Sequence, residues 1–286
     1  MTIVLQSIIN GLISGAILML PTVGFTMIYA TLGFPNTAIA GMVVLGAYAG
    51  YVASVHLELP LALCVVFAAI VLVPVGVGMG RVVFRQFYGR KLLAPLIAGV
   101  GMFLILENVV RFVWGNKIRS LNIPLERPWT FGGLHLNPDK LTIVVLAVAL
   151  VGGVFACLKF TPIGRAIRAV SDDSVLAEIR GINSARAILV VWVIASGLAG
   201  AAGVLMAADT IMTPLMAWEI LLPMFAAAML GGIGSPLGAV LGALVMGLTT
   251  DLAVAFLPPT YKSAIAFTVM VIILLFRPHG IFRVKL

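Results

Sequence analysis

The chain has 286 residues, of which 62% are hydrophobic and only 10% charged, with a mean hydropathy of +1.18. A water-soluble domain carries roughly 25% charged residues, so this composition excludes a soluble globular protein and makes lipid the solvent. The formal net charge of +8 would suggest nucleic acid in a soluble chain. Here the basic residues gather at the ends of apolar runs, a positive-inside pattern, and no nucleic-acid partner is expected.

Lipid offers the backbone no hydrogen bonds, so only helices or closed barrels can span it. Barrel strands alternate over about 10 residues. The runs here are continuous and about 20 residues long, which reads as helices. They fall near 5–30, 38–56, 60–83, 93–113, 141–160, 186–208, 218–234, 236–256 and 262–277. The expected fold is all-α: one polytopic transmembrane helix bundle over residues 1–286 with about eight or nine membrane segments. The N-terminal MTIVLQSIIN has no Lys or Arg, so the first apolar stretch is expected to stay in the mature protein rather than act as a cleaved signal.

In chain order, the first segment carries Pro21 and Gly24 and runs into LGFPNTAIAG. Such breaks free backbone groups that lipid cannot satisfy, so they belong inside protein or along a cavity. Gly11/Gly15 form a small-xxx-small pair, as do Gly238/Gly242, and read as close helix packing. Arg81, Arg85, Arg90 and Lys91 share one loop. In the fourth segment Glu107 and Arg111 stand four apart, on one helix face, and read as a structural ion pair near the outer end. The loop 114–140 is long, polar and turn-rich, with Trp114 and Trp129. The loop 161–185 holds Arg165, Arg168 and Arg180 between Lys159 and Arg186, and Arg277, Arg283 and Lys285 close the chain. Twelve of the eighteen basic residues share one side if the C-terminus is cytoplasmic; an odd number of crossings then places the N-terminus outside. Lys117, Arg119, Arg127 and Lys140 fall toward the outer side, and Asp209 and Asp251 are expected to be interfacial and solvated.

The seventh segment ends in LGGIGSPLGA. Set beside GFPNTAIA from Gly33, the stretch GIGSPLGA from Gly232 repeats a pattern: a Gly/Pro break, one small polar residue (Asn36 or Ser235), then small apolar residues. This suggests two pseudo-repeated halves, and paired breaks point to a transport path. Tyr29, Phe34, Asn36, Thr37, Ile39 and Ser235 are the candidate path residues. Asn36 has a second reading as a helix N-cap.

Within 164–182, GRAIRAVSDDSVLAEIRGI, apolar positions recur at helical spacing and Gly181 would end the element. It reads as one short amphipathic helix, too charged to span, that either lies at the lipid interface or docks into a groove of a soluble partner. Cys64, Cys157, His56, His135 and His279 form no metal-ligand cluster, and the thirteen Met residues read mainly as packing.

This stretch resembles the coupling (EAA) loop of ABC-transporter permeases, and more closely that of the branched-chain amino acid permeases, which carry a G-R-A…A…D…A…L-G-I-N pattern. Gly164, Arg165, Ala166, Ala169, Asp172 or Asp173, Ala177, Gly181, Ile182 and Asn183 match it, with Arg180 where leucine is usual. GFTMIYATLGFPNTAIAGMVVLGAY, LGGIGSPLGAVLGAL and the closing RPHGIF resemble further motifs of the family, in the same order along the chain. At the first motif Ile39 and Gly41 stand where the family often has His and Glu, which makes that position less polar and leaves open an aliphatic or aromatic amino acid or another compact apolar anion.

The resemblance implies a permease in the bacterial inner membrane. It would work with a second homologous permease or a second copy of itself, two cytoplasmic ATPases that bind ATP and Mg, and a periplasmic substrate-binding protein. No G-x-x-x-x-G-K-S/T motif occurs in the chain, so ATP would be bound on other polypeptides. Gly164, Arg165, Ala166, Ala169, Asp172, Asp173, Ala177, Glu178, Gly181 and Ile182 would then receive the ATPase motion. The alternative is a self-contained channel or secondary carrier, which would need midplane ion ligands; an intramembrane enzyme would need a convergent catalytic pair. Neither pattern is visible.

Overall fold

The computed structural model of the chain describes residues 2–88, 93–122, 129–131, 134–256, 258, 261–276 and 280. Arg90, Lys91, Arg127, Arg277, His279, Arg283 and Lys285 lie outside the described residues, as does the closing motif apart from Gly280. The apolar runs fold as α1 (Thr2–Leu32), α2 (Ala38–Val55), α3 (Leu61–Val82), α4 (Leu93–Trp114), α5 (Pro138–Phe160), α8 (Ser184–Asp209), α9 (Met216–Gly231), α10 (Pro236–Val254) and α11 (Lys262–Phe276). Between α5 and α8 lie two short helices, α6 (Pro162–Asp172) and α7 (Ser174–Ile179), and a 3-10 turn (Phe84–Phe87) follows α3. Among the described residues seven helices are long and apolar enough to cross a membrane; Met216–Gly231 and the Ala264–Ile273 part of α11 are apolar but shorter.

Pro21 does not break the first helix. α1 is continuous through it and ends at Gly33, whose φ of +75° suits glycine. Polar side chains inside α1 bond its own carbonyls: Thr22 Oγ1 donates to Leu18 O at 2.6 Å and Thr26 Oγ1 to Val23 O at 3.0 Å. This is the internal satisfaction that lipid demands.

Small residues decide which helices sit at the centre. In lipid, close backbone approach replaces the hydrophobic effect as the force between helices. α1 packs along α10, where a Cβ on Gly247 would lie 2.4 Å from Gly15 N and one on Gly11 2.8 Å from the Leu248 Cα. α8 packs on α2 and α3: a Cβ on Gly203 would lie 2.0 Å from the Val43 carbonyl, and one on Gly200 2.7 Å from the Ala68 carbonyl. Gly238 and Gly242 face Gly231 and Ala227 of α9 in the same way. α1, α2 and α8 are thus largely buried, whereas α3, α4 and α5 present residues such as Ile70, Phe112 and Val145 outward.

At the end opposite α6 and α7, polar contacts fasten the helices. Glu107 pairs with Arg111 on α4 and also accepts from Trp218 Nε1 of α9 at 3.0 Å, with Phe103 edge-on to the Trp218 ring. The ion pair its spacing indicated is therefore formed, with Glu107 buried against α9 and Arg111 about a third exposed (34%). Arg119 donates to the Tyr51 hydroxyl (2.7 Å) and the Trp114 carbonyl (3.0 Å) and bridges to Met212, tying the 115–137 connection to α2 and the end of α8. That connection also forms a two-stranded hairpin, β1 (Trp129–Phe131) with β2 (Leu134–Leu136), where the sequence suggested only a turn-rich loop. Asp209 and Asp251 are half-buried and paired rather than fully solvated. Asp209 lies 3.6 Å from Lys140 and Asp251 2.8 Å from Lys262, and their side chains are only 14% and 12% exposed. Burial of a carboxylate this far favours a paired cation.

Candidate functional site

The α6–α7 element is built by three capping devices. Thr161 Oγ1 accepts from Gly164 N at 3.1 Å and donates back to Cys157 O at 2.6 Å, so one hydroxyl ends α5 and starts α6, with Pro162 at the first helical position. Gly164 sits so close to the end of α5 that a Cβ would lie 2.3 Å from the Leu158 carbonyl. The sharp α5–α6 corner therefore requires glycine there.

The sequence suggested one helix through 164–182. The structure instead divides it at Asp173, which takes extended backbone (φ −158°) while its Oδ1 accepts from Val175 N at 2.9 Å and Leu176 N at 3.0 Å. A second aspartate after Asp172 offers the backbone this local alternative to helix, which ends α6 and caps α7. α7 closes in a Schellman arrangement: Gly181 N–H donates to Glu178 O and Ile182 N–H to Ala177 O, both at 2.9 Å, with Gly181 at φ +81°.

These caps set two faces. Gly164, Ile167, Val170 and Ala177 are buried against the bundle, and Ala166, Ala169 and Ile182 are half-buried. Arg165, Asp172, Asp173, Glu178 and Gly181 face outward. So do three aliphatic side chains of α7, Val175, Leu176 and Ile179, at 67%, 51% and 76% exposure. Outward apolar residues on a short helix beyond the membrane spans suit either the lipid interface or a partner's groove.

The two Gly-rich turns meet beside this element. Gly234 (φ +96°) lies against Ala30, with its Cβ position 3.8 Å from the Ala30 Cβ. Tyr29, Gly33, Gly234 and Pro236 line a cavity of about 460 Å³ together with Leu158, Arg168 and Asp172 of the α5–α6 region. The candidate path residues divide around it. Tyr29 lines the cavity. Ser235 caps α10, accepting from Gly238 N at 3.1 Å. Asn36 accepts from Ala38 N at 3.1 Å at the start of α2, while its Nδ2 and the Thr37 hydroxyl are buried without partners among the described residues, beneath Gly99 of α4. Phe34 stacks on Phe84 (5.6 Å), which stacks on Trp192 (5.2 Å), and Ile39 is fully buried. Beside that stack burial pushes the Tyr88 phenol up, opposed by the Trp192 indole and the Arg85 guanidinium, so it is a neutral hydroxyl at ordinary pH.

A second cavity, of about 380 Å³, opens at the far end between α1, α8, α9, α10 and α11. Its walls combine Ile17, Met206 and Pro223 with Asp209, Glu219 and Lys262. Sequence reading marked Asp209 but missed Glu219, Lys262 and Ser14. Their signal, charged or polar residues near the ends of different apolar segments, becomes a site only when the helices are assembled.

The family model described as "Branched-chain amino acid transport system / permease component" matches residues 7–274. The chain is 31% identical to the high-affinity branched-chain amino acid transport system permease protein BraD of Pseudomonas aeruginosa, over 97% of this chain and 95% of that one. It is 30% identical to the corresponding LivH protein of Escherichia coli, over 97% and 94%. Over 53% of this chain and 37% of the relative it is 27% identical to the Escherichia coli permease protein LivM.

Proposed function

Because this chain belongs to the family of permease components of branched-chain amino acid transport systems, we propose that it is the membrane-spanning subunit of an ATP-driven importer that carries branched-chain or other hydrophobic amino acids. The observation that carries the reading is the α6–α7 element: a capped, rigid corner whose buried face grips the bundle and whose exposed Val175, Leu176 and Ile179 await a partner. Two ATPase subunits that bind ATP and Mg would seat on that face. Arg165, Asp172 and Glu178 would fix their register, while Gly164, Ala166, Ala169, Ala177 and Ile182 hold the helices on the bundle.

On this reading the α6–α7 end is cytoplasmic and the N-terminus is outside. The far cavity receives substrate from a periplasmic binding protein, its apolar wall suited to an aliphatic side chain and its carboxylates and ammonium to the two charged ends of an amino acid. The chain would pair with a second permease, of the kind to which LivM is similar, or with its own copy. Tyr29 and Ser235 sit beside the turns next to α6, and Asn36 and Thr37 at the start of α2 beneath α4, where Phe34 and Ile39 supply the packing that the turns would move against.

The test is uptake of labelled leucine into proteoliposomes holding the assembled complex. ATP-dependent uptake that requires the binding protein is expected, and Leu176→Asp with Ile179→Asp should release the ATPases. Uptake driven by an ion gradient without ATP would instead establish a secondary carrier.

A further inference from the structure

Where α3 and α8 end beside α7, a third cavity of about 650 Å³ opens. Three guanidinium groups line it: Arg81 at the end of α3, Arg85 in the 3-10 turn and Arg186 in the first turn of α8. None forms an ion pair among the described residues, and the acidic residue in the lining is Glu178. The cavity therefore carries an excess of positive charge, three guanidinium groups against the one Glu178 carboxylate.

A further donor is set into its wall. Ser184, first residue of α8, is 6% exposed, yet its Oγ has no partner among the described residues. Buried hydroxyls left unpaired are uncommon. The start of the 26-residue helix α8 adds a positive dipole end at the same place. Below the arginines the wall turns apolar: Val77 of α3 and Ile188 and Leu189 of α8 continue along the two spans.

A charged rim above an apolar cleft between two membrane helices matches an amphiphile whose anionic group sits at headgroup depth. We propose that this cavity binds the phosphate of an anionic phospholipid headgroup, with the acyl chains lying along α3 and α8. The apolar cleft favours lipid over a free phosphate ion, which would leave it unused, and basic pockets between spans on this side of a bundle suit such headgroups.

The test titrates the purified transporter complex in detergent with phosphatidylglycerol, phosphatidylcholine or inorganic phosphate, and follows thermal stability together with lipid retention by native mass spectrometry. Phosphatidylglycerol should stabilise and be retained, and the other two should not. Each of R81Q, R85Q and R186Q should weaken the phosphatidylglycerol response about fivefold, the triple variant should abolish it, and Arg→Lys variants should keep most of it. Ser184→Ala, a milder change, carries the test should the triple variant not assemble, and should also weaken the response. An unchanged response in the variants overturns the proposal. So does equal stabilisation by inorganic phosphate, which would mean a free-anion site. Loss of ATPase subunits from the arginine variants with lipid retention intact would mean a protein occupant and overturns it equally.

Discussion

Replacing Gly181 with alanine isolates the contribution of a single backbone conformation. α7 has six residues, less than two turns, and such a helix has little stability of its own. Its end is held by the Gly181 and Ile182 amides on Glu178 and Ala177, and these bonds need Gly181 at φ +81°. No atom lies within 4 Å of a Cβ built at Gly181, so alanine meets no steric obstacle and its whole cost is left-handed backbone, about 1–2 kcal/mol. That corresponds to roughly a 5–30-fold loss in the ratio of closed to frayed α7. Asparagine tolerates the left-handed region and should recover most of the loss. The assay compares leucine uptake with ATP hydrolysis at equal amounts of assembled complex. G181A should lose several-fold in uptake while hydrolysis persists, and G181N should lie near wild type. If G181A transports normally, or if G181N is as impaired as G181A, the end of α7 does not transmit the ATPase motion.

Other substitutions test other links. Asp173→Ala removes the acceptor for two amides at the α6–α7 break and should cost about 1 kcal/mol, read as a lower midpoint in thermal unfolding; Asp173→Asn should be close to neutral. Gly164→Ala should block assembly, because its Cβ would lie 2.3 Å from the Leu158 carbonyl, and the amount of folded complex after extraction measures this. Gly203→Ala should do the same at the α2–α8 seam, where the corresponding distance is 2.0 Å. Glu107→Ala leaves Arg111 and the Trp218 indole without their shared acceptor; the thermal midpoint should fall as expected for about 2 kcal/mol, and the double change with Arg111→Ala should recover part of it.

The helical spans were legible because lipid imposes a single rule along the whole chain: about 20 apolar residues per crossing. The Gly11/Gly15 and Gly238/Gly242 contacts were equally plain, since four-residue spacing places both members on one helix face. What the sequence could not show was which helix each face would meet. The α8 stretch SGLAGAAG carries Gly200 and Gly203, the closest backbone approaches to α3 and α2, yet small residues alone do not name a partner. The split at Asp173 was missed for a different reason. Helical periodicity continues across Asp172 and Asp173, and only the φ of one residue and two hydrogen bonds reveal that the second aspartate caps a new helix. The ion pairs of Asp209 and Asp251 span 69 and 11 residues of sequence, to Lys140 and Lys262 respectively, so their partners are set by tertiary packing.

On the proposed reading, the placement of the turns would give α6 a mechanical route into the bundle. Along the sequence, Gly33 and Gly234 lie in different halves of the chain, and Arg168 and Asp172 belong to a third region. In the fold all of them line one cavity. On the proposed reading, a displacement of α6 would pass to α5 through the Gly164 corner, where backbone meets backbone and no flexible side chain can absorb it. α6 also packs on α1, which in turn runs along α10. These turns are the places where the spans can change direction at low cost, because glycine occupies each positive-φ position there. Rigid contact at Gly164 and compliant backbone at Gly33, Gly232 and Gly234 are together what a bundle needs if motion of a docked subunit is to reorient helices rather than merely bend a loop.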